Sequence, residues 1–496
     1  MPRHRRRIGR TTAAGAPVCA FLALLAAPVA GADVDDLITD LVNPADWAGS
    51  AAVDPSDFWA QTLQQDLVLP LHAAVENFLD TPAGKALDSN VAFQFFDDSC
   101  GLICNGAPGT EAHPDGGNGG LLFGDGGAGW TSTEAGVAGG DAIGLIGNGG
   151  TGGAGGADAH GGAGGIATDI GNGGAGGNGG AGAIGGLGGW GGATAGVTGA
   201  DGTGAAIHGA VPLTVHNNEP VINVSIGGGP AVPMLVDTGS AGLMVPLSDV
   251  GVQHIGFPTG IGFAKFGGDE QIVYLKVPTT ISFGGDTGTQ AVVDDVPVFG
   301  FPHGFNSIMT PGIDGIVGVG PGALGPAVSP VAALPGDLNQ GVLIDEPQSL
   351  LQFGANPLPE RVALDGSPLV DHLSLQIGDG PLVPFNQVVA IDSGGKVGML
   401  PSSVFDGALS GSSGGLAYSV YSDTGSGDPT LVYSYTPDAQ TGSPLVLPDA
   451  QLKDLYFFPN TGNAPFLGQP VYIANSPSGS GQTIFDELPG TVTPKL

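Results

Sequence analysis

Asp237-Thr238-Gly239-Ser240-Ala241-Gly242-Leu243-Met244-Val245-Pro246 follows the apolar pair Leu235-Val236, and Asp392-Ser393-Gly394-Gly395-Lys396-Val397-Gly398-Met399-Leu400-Pro401 follows Ala390-Ile391. Laid over each other, the two stretches read as acid, hydroxyl residue, Gly, small residue, a variable interval, then Met, an aliphatic residue and Pro. Each acid leaves a buried-looking strand, and the chain then enters another. A carboxylate in such a loop has apolar walls and receives backbone N–H groups, the setting in which two facing acids share one proton. One acid keeps the proton and donates it to a carbonyl while the other activates water, which is peptide hydrolysis without a covalent intermediate. The separation, 392 − 237 = 155 residues, leaves one lobe's worth of chain between the acids. One molecule can therefore supply both half-sites, and a monomeric catalytic domain is expected.

Outward from these loops the texture is that of strands. Leu213-Thr-Val-His, Val221-Ile-Asn-Val-Ser-Ile and Ala231-Val-Pro-Met-Leu-Val are short, β-branched and bounded by Gly or Pro, and the pattern continues to Ile473. Helical periodicity is almost absent, so an all-β domain of about 285 residues is expected over 208–496, with lobes at about 208–345 and 346–496. Asp286-Thr287-Gly288 and Asp423-Thr424-Gly425 repeat the triplet in Gly-rich, polar surroundings and read as exposed turns.

Upstream, residues 106–207 form a Gly-Gly-x array, as in Gly149-Gly150-Thr151-Gly152-Gly153-Ala154-Gly155-Gly156. Glycine at this density has no side chains to bury. It becomes either a flexible spacer or a stack of three-residue-per-turn extended helices whose backbones approach closely. The interspersed Leu121-Leu122-Phe123, Trp130, Leu145-Ile146 and Trp190 favour the ordered form. The regularly placed Asp of calcium-binding nonapeptide repeats is missing. Residues 33–105 carry two expected helices, from about Pro55 and over Leu71–Leu79, and the pair Cys100 and Cys104, read as a small-loop disulfide. A zinc half-site with His113 is the alternative, but no second ligand pair stands at metal spacing. Residues 1–32 have the basic, apolar and small-residue regions of a secretory signal peptide, with cleavage expected after Ala32.

The net charge of −34 and pI near 4.1 repel nucleic acid and anionic membranes, so neither is expected as a partner. No metal or cofactor is expected.

Residues 210–496 resemble a bilobal, pepsin-like aspartic protease, which implies a double-ψ β-barrel fold, Asp237 and Asp392 as the catalytic pair and a bound water as nucleophile. In that family an apolar-apolar-Gly segment threads beside each catalytic loop. Asp314-Gly315-Ile316-Val317-Gly318-Val319-Gly320 matches in the first lobe, and Phe466-Leu467-Gly468-Gln469-Pro470-Val471-Tyr472 is the expected match in the second. The resemblance implies that Thr238 and Ser393 hold the loops together across the lobes, with Gly239 and Gly394 behind them, and that Ser240 orients Asp237. It also implies a hairpin flap over Ala264–Tyr274, with Phe266 and Gly267 where Tyr-Gly is usual. Gly395 departs from the pattern by removing a hydroxyl that bonds the outer oxygen of Asp392, and no Trp follows Trp190 to partner the flap. Lys396 reads as a solvated loop lysine that perturbs Asp392 only if it points inward. The glycine array is similar to the repeats of mycobacterial PE-PGRS proteins, some of which carry such a protease domain, although a signal peptide stands here where those have a helical PE domain. Together these resemblances imply a secreted or cell-envelope aspartic endopeptidase acting on protein or peptide substrates, other exported glycine-rich proteins among them, with self-cleavage expected at a flexible 195–210 junction. The alternative is a cell-surface interaction protein whose glycine array does the work and whose protease-like domain is a weakly active or inactive scaffold.

Overall fold

The computed structural model describes Thr81 and residues 100–487, apart from 102, 132–138, 142, 144, 193, 195, 206, 230, 247–248, 252–255, 267–269, 284–289, 300–309, 311, 326, 410–414, 423–428, 439–440, 454–457 and 476–479; for 263–266, 270–273, 290–299 and 453 it describes the backbone alone. All of these residues belong to one compact unit, Val68–Leu496. The signal peptide, the two expected N-terminal helices, Gly267 and the triplets at 286–288 and 423–425 lie outside the described residues.

The glycine array is an ordered stack. Backbone donors recur at every third residue, the period of a three-residue-per-turn extended helix: Gly149, Gly152 and Gly155 donate to the carbonyls of Asn172, Ala175 and Asn178, and Gly173, Gly176 and Gly179 to those of Val197, Ala200 and Thr203. A second set of bonds joins segments across the stack, such as Gly127 N–H to Gly117 O at 2.8 Å and Gly150 N–H to Gly140 O at 2.8 Å. A Cβ at Gly127 or Gly150 would overlap a carbonyl of the neighbouring segment, so the Gly-Gly pairs are what this spacing requires. Side chains add a ladder: the Oδ1 atoms of Asn105, Asp125, Asn148 and Asn172 accept in turn from the N–H groups of Asp125, Asn148, Asn172 and Val197. Ile103, Phe123, Ile146 and Ile170 line up through parallel bridges as its apolar spine. Cys100 and Cys104 are joined as a disulfide at the stack's edge, with Cα atoms 5.9 Å apart. The 195–210 junction differs from the expected flexible linker. Gly199, Gly202 and Ala205 donate into the stack, and Ala210 already opens the first strand, because glycine backbone here finds hydrogen-bond partners in its own array.

The rest is all-β. In chain order, the first part contributes β1 (Ala210–Pro212), β2 (Thr214–His216), β3 (Glu219–Ile226), β4 (Ala231–Asp237), β5 (Ala241–Pro246), β6 (Gly260–Phe266), β7 (Glu270–Ser282), β8 (Gln290–Phe299) and β9 (Gly315–Val319). The second part begins with β10 (Gly341–Asp345), β11 (Leu350–Phe353), β12 (Glu360–Asp365), β13 (Leu369–Val370), β14 (Leu373–Ile377), β15 (Val383–Pro384), β16 (Val389–Ala390) and β17 (Met399–Pro401). It continues through α1 (Ser402–Ala408), β18 (Tyr418–Ser422), β19 (Thr430–Tyr435), β20 (Leu445–Leu447), α2 (Ala464–Leu467), β21 (Val471–Ala474) and β22 (Gln482–Asp486).

Strands β2 to β9 form one sheet in the order β2-β3-β4-β9-β5-β8-β7-β6, and an additional β3–β7 pairing turns it back on itself. The second lobe is built from β15-β14-β18-β19 and the short pairs β13-β16 and β17-β20. A six-stranded antiparallel sheet, β1-β11-β10-β21-β22-β12, takes strands from each part of the chain. The β6–β7 hairpin pairs from Gly260↔Lys276 to Phe266↔Glu270, over the stretch in which a flap is expected; the Phe266 side chain lies outside the described residues.

The glycine stack is packed on the first lobe. Trp190 sits in an apolar cluster with Val221, Leu235, Met244, Tyr274, Ile313 and Ile316, and its ring meets His216 edge-on at 5.4 Å. Leu235 precedes Asp237 by two residues, and Met244 and Ile316 flank it on β5 and β9. The indole therefore supports the back of the first acidic loop.

Candidate active site

In the first lobe β9 threads between the strands before and after Asp237. It runs parallel to β4, with Leu235↔Ile316 and Asp237↔Gly318, and antiparallel to β5, with Met244↔Ile316. The second lobe repeats this with a different segment from the one expected. Asn460 lies between Ala390 on β16 and Met399 on β17, and four backbone bonds fix it there: Ala390 N–H to Pro459 O at 2.8 Å, Thr461 N–H to Ala390 O at 2.9 Å, Met399 N–H to Asn460 O at 2.7 Å and Asn460 N–H to Met399 O at 3.0 Å. By register, Asn460-Thr461-Gly462 corresponds to Ile316-Val317-Gly318. The expected Phe466–Tyr472 instead forms α2, with Phe466 fully buried, and the start of β21 in the six-stranded sheet. The apolar pattern pointed to the wrong segment because both apolar positions of the thread are polar in this lobe.

The two acidic loops grip each other reciprocally. Thr238 N–H donates to Ser393 Oγ at 3.1 Å, and Ser393 N–H to Thr238 Oγ1 at 2.9 Å. Each hydroxyl in turn donates across the lobes, Thr238 Oγ1 to Ile391 O at 2.8 Å and Ser393 Oγ to Val236 O at 2.7 Å. Both residues are fully buried, so every polar atom in the grip must be satisfied inside the protein. Gly239 N–H donates to Asp237 Oδ1 at 2.7 Å, and Gly394 N–H to Asp392 Oδ1 at 3.0 Å. A Cβ on Gly239 would run into the carboxylate of Asp392, and one on Gly394 would lie 2.6 Å from Asp237 Cγ. The acids are thus seated over each other's glycine.

Burial, then the facing charge of Asp392, raises the Asp237 pKa well above the carboxylate range, against weaker lowering by Ser240 and the Gly239 N–H. Ser240 is buried beside Asp237, where it favours the charged form, but its hydroxyl closes no hydrogen bond in this conformation. Two acids this close disfavour each other's charged form, which is the second cause of the rise at Asp237.

Four residues near the pair were not singled out in the sequence as functional. Asn460 Nδ2 donates to Asp392 Oδ2, Thr461 Oγ1 accepts from Asp392 N–H at 3.2 Å, and Asn463 N–H donates to Gly395 O at 2.7 Å. The fourth is Glu219, at the end of a two-residue hairpin turn whose Asn217 and Asn218 have φ of 49° and 64°. Lys396 Nζ stands 3.8 Å from Glu219 Oε2, and Asn218 Nδ2 donates to Lys396 O. Lys396 is therefore half-exposed but faces a carboxylate of the other lobe rather than open solvent. Glu219 also accepts from Thr310 Oγ1; burial raises its pKa, against the opposing effects of Thr310 and Lys396. An Asn-Thr-Gly-Asn string carries no periodic signal, which is why the thread was not legible. Among the described residues no group of three or more His, Cys, Asp or Glu side chains is placed to hold a metal ion.

Two acidic loops of one design, each braced by a threaded segment and locked to the other, define a bilobal pepsin-like domain. The chain belongs to the family described as the PE-PGRS C-terminal aspartyl peptidase-like domain, which matches residues 209–483, and PGRS repeats match residues 103–169. It is similar to PE cleavage protein A of Mycobacterium tuberculosis, at 39% identity over 319 residues covering 59% of this chain and 53% of that protein. The protein of the same name from Mycobacterium marinum is 38% identical over 303 residues, covering 56% and 52%. The chain spans about half the length of these curated relatives. Among solved structures, an aspartic proteinase from Irpex lacteus matches with a TM-score of 0.40 and 16% identity, over 57% of this chain and 99% of that one.

Proposed function

We propose that this chain is an exported aspartic endopeptidase in which Asp237 and Asp392 activate a water molecule between them. The observation that carries the reading is the reciprocal Thr238–Ser393 grip, which seats each carboxylate over the glycine of the opposite loop. With the shared proton on Asp237, Asp392 takes a proton from water as its oxygen attacks the scissile carbonyl, and Asp237 protonates the carbonyl oxygen. Proton return to the amide nitrogen then breaks the C–N bond. In this reading the β6–β7 hairpin serves as the flap, with Phe266 and Gly267 in the place of the family's Tyr-Gly.

Substrates of this reading are protein or peptide segments bound as an extended strand, exported glycine-rich proteins carrying a PE segment among them, as the relatives' name suggests. Export by the 1–32 signal and residence at the envelope belong to the same proposal. Self-cleavage at 195–210 requires the last segment of the glycine stack to be released first, and a purified chain that stays intact at every pH counts against it. The test is cleavage of a peptide library by the full chain between pH 3 and 7, beside Asp237→Asn and Asp392→Asn. Activity lost in both variants supports the dyad; a folded but silent wild-type chain returns the domain to a binding scaffold.

A further inference from the structure

We propose that Asn460 is the positioning residue of Asp392 and decides which of the two carboxylates carries the shared proton. The proposal rests on the dyad reading above and deepens it. Its starting point is a comparison internal to the chain. The first loop carries Ser240 beside its acid, and the corresponding position of the second loop is Gly395. The threaded segments differ in the opposite sense, with apolar Ile316 in the first lobe and polar Asn460 in the second at the same register. The polar group has moved from the loop to the thread.

The amide of Asn460 has only one usable orientation. Its Oδ1 accepts from Gly462 N–H at 2.6 Å, which turns Nδ2 toward Asp392 Oδ2. An amide nitrogen donates and does not accept. The outer oxygen of Asp392 is therefore held as an acceptor, while its inner oxygen accepts from Gly394 N–H. Ser240 differs, because a hydroxyl serves as donor or acceptor and is compatible with either protonation state of Asp237. The consequence is a division of labour: Asp392 takes the proton from water, and Asp237 carries the proton that goes to the carbonyl. A Cβ at Gly395 would stand 3.5 Å from both Asn460 Oδ1 and Asp392 Oδ2, an ordinary contact distance, and 3.3 Å from Gly462 Cα, so the serine of the double variant below needs only a small shift of Gly462. The charged groups facing Asp392 are Asp237 across the pair and Glu219, itself 3.8 Å from Lys396 Nζ; the variants below leave all three in place.

The test uses the full chain as wild type, Asn460→Ala, Asn460→Asp and the double variant Asn460→Ala/Gly395→Ser, each checked for cooperative unfolding. Ionisation of Asp392 is read directly as the pH dependence of its alkylation by a small epoxide, followed by peptide mass spectrometry, a readout that needs no proteolysis. Losing a hydrogen bond to a charged group moves the Asn460→Ala midpoint up by roughly one pH unit. Asn460→Asp, which keeps the shape and the Gly462 contact but places a second carboxylate there, moves it further. Where cleavage is measurable, kcat falls roughly 10-fold or more with KM nearly unchanged, the acid limb of the profile shifts upward, and the double variant recovers. A midpoint that stays at the wild-type value in both single variants overturns the proposal. A shifted midpoint in a chain that cleaves no peptide upholds it and sinks the protease reading instead.

Discussion

Glu346 is buried just after β10, where its Oε2 accepts from Asn463 Nδ2 at 3.1 Å and its Oε1 has no hydrogen-bond partner. Burial pushes its pKa from 4.5 to about 8. The folded chain therefore binds this proton more tightly than the unfolded chain, so the associated stability is complete below about pH 4.5 and is lost as the pH rises through about 8. At ~1.36 kcal/mol per unit, the loss is about 2 kcal/mol by pH 6 and about 5 kcal/mol once the group is ionised in both states. That is a large share of the roughly 5–15 kcal/mol that holds a domain together. Asp486 and Asp345 in the same sheet, raised by burial to about 7 and about 6, act in the same direction. The perturbation is Glu346→Gln, which copies the shape of the protonated acid and cannot ionise. Urea unfolding of the full chain at intervals from pH 4 to 8 should show wild-type stability falling steeply, and the variant's fall smaller by several kcal/mol. Parallel curves for the two proteins would refute the reasoning, because they would mean that Glu346 binds its proton no more tightly folded than unfolded.

Trp190→Ala removes the indole that the glycine stack places behind the Asp237 loop and should cost about 3–5 kcal/mol by thermal unfolding; an unchanged transition would mean that the stack merely rests against the first lobe. Thr238→Val removes a hydroxyl that both donates to Ile391 O and accepts from Ser393 N–H, leaving two buried groups unpaired, so chemical denaturation should show a loss of about 2–4 kcal/mol. Gly239→Ala puts a methyl group against the Asp392 carboxylate and should abolish any peptide cleavage while leaving a folded chain by circular dichroism; wild-type turnover would contradict the close seating of the acids. Lys396→Ala removes the half-exposed lysine that faces the buried Glu219 carboxylate and should lower stability at neutral pH by about 1–3 kcal/mol, measurable in the same urea series.

The chain by itself determined the parts of this protein that follow from local rules. Paired Asp-hydroxyl-Gly loops after apolar runs announce two buried carboxylates, and alternating β-branched segments announce sheets. Repeated Gly-Gly pairs require close backbone contact if the array is ordered at all. Tertiary structure decided what depends on register between distant segments. Asn460 reaches Asp392 across 68 residues, and Glu219 reaches Lys396 only because the lobes face each other. Trp190, read from the sequence as part of a repeat array, is a core residue of the first lobe. The second thread was missed for the same reason: its Asn and Thr are chosen for their hydrogen bonds to the acidic loop, and a side chain selected for a partner leaves no periodic pattern along the chain.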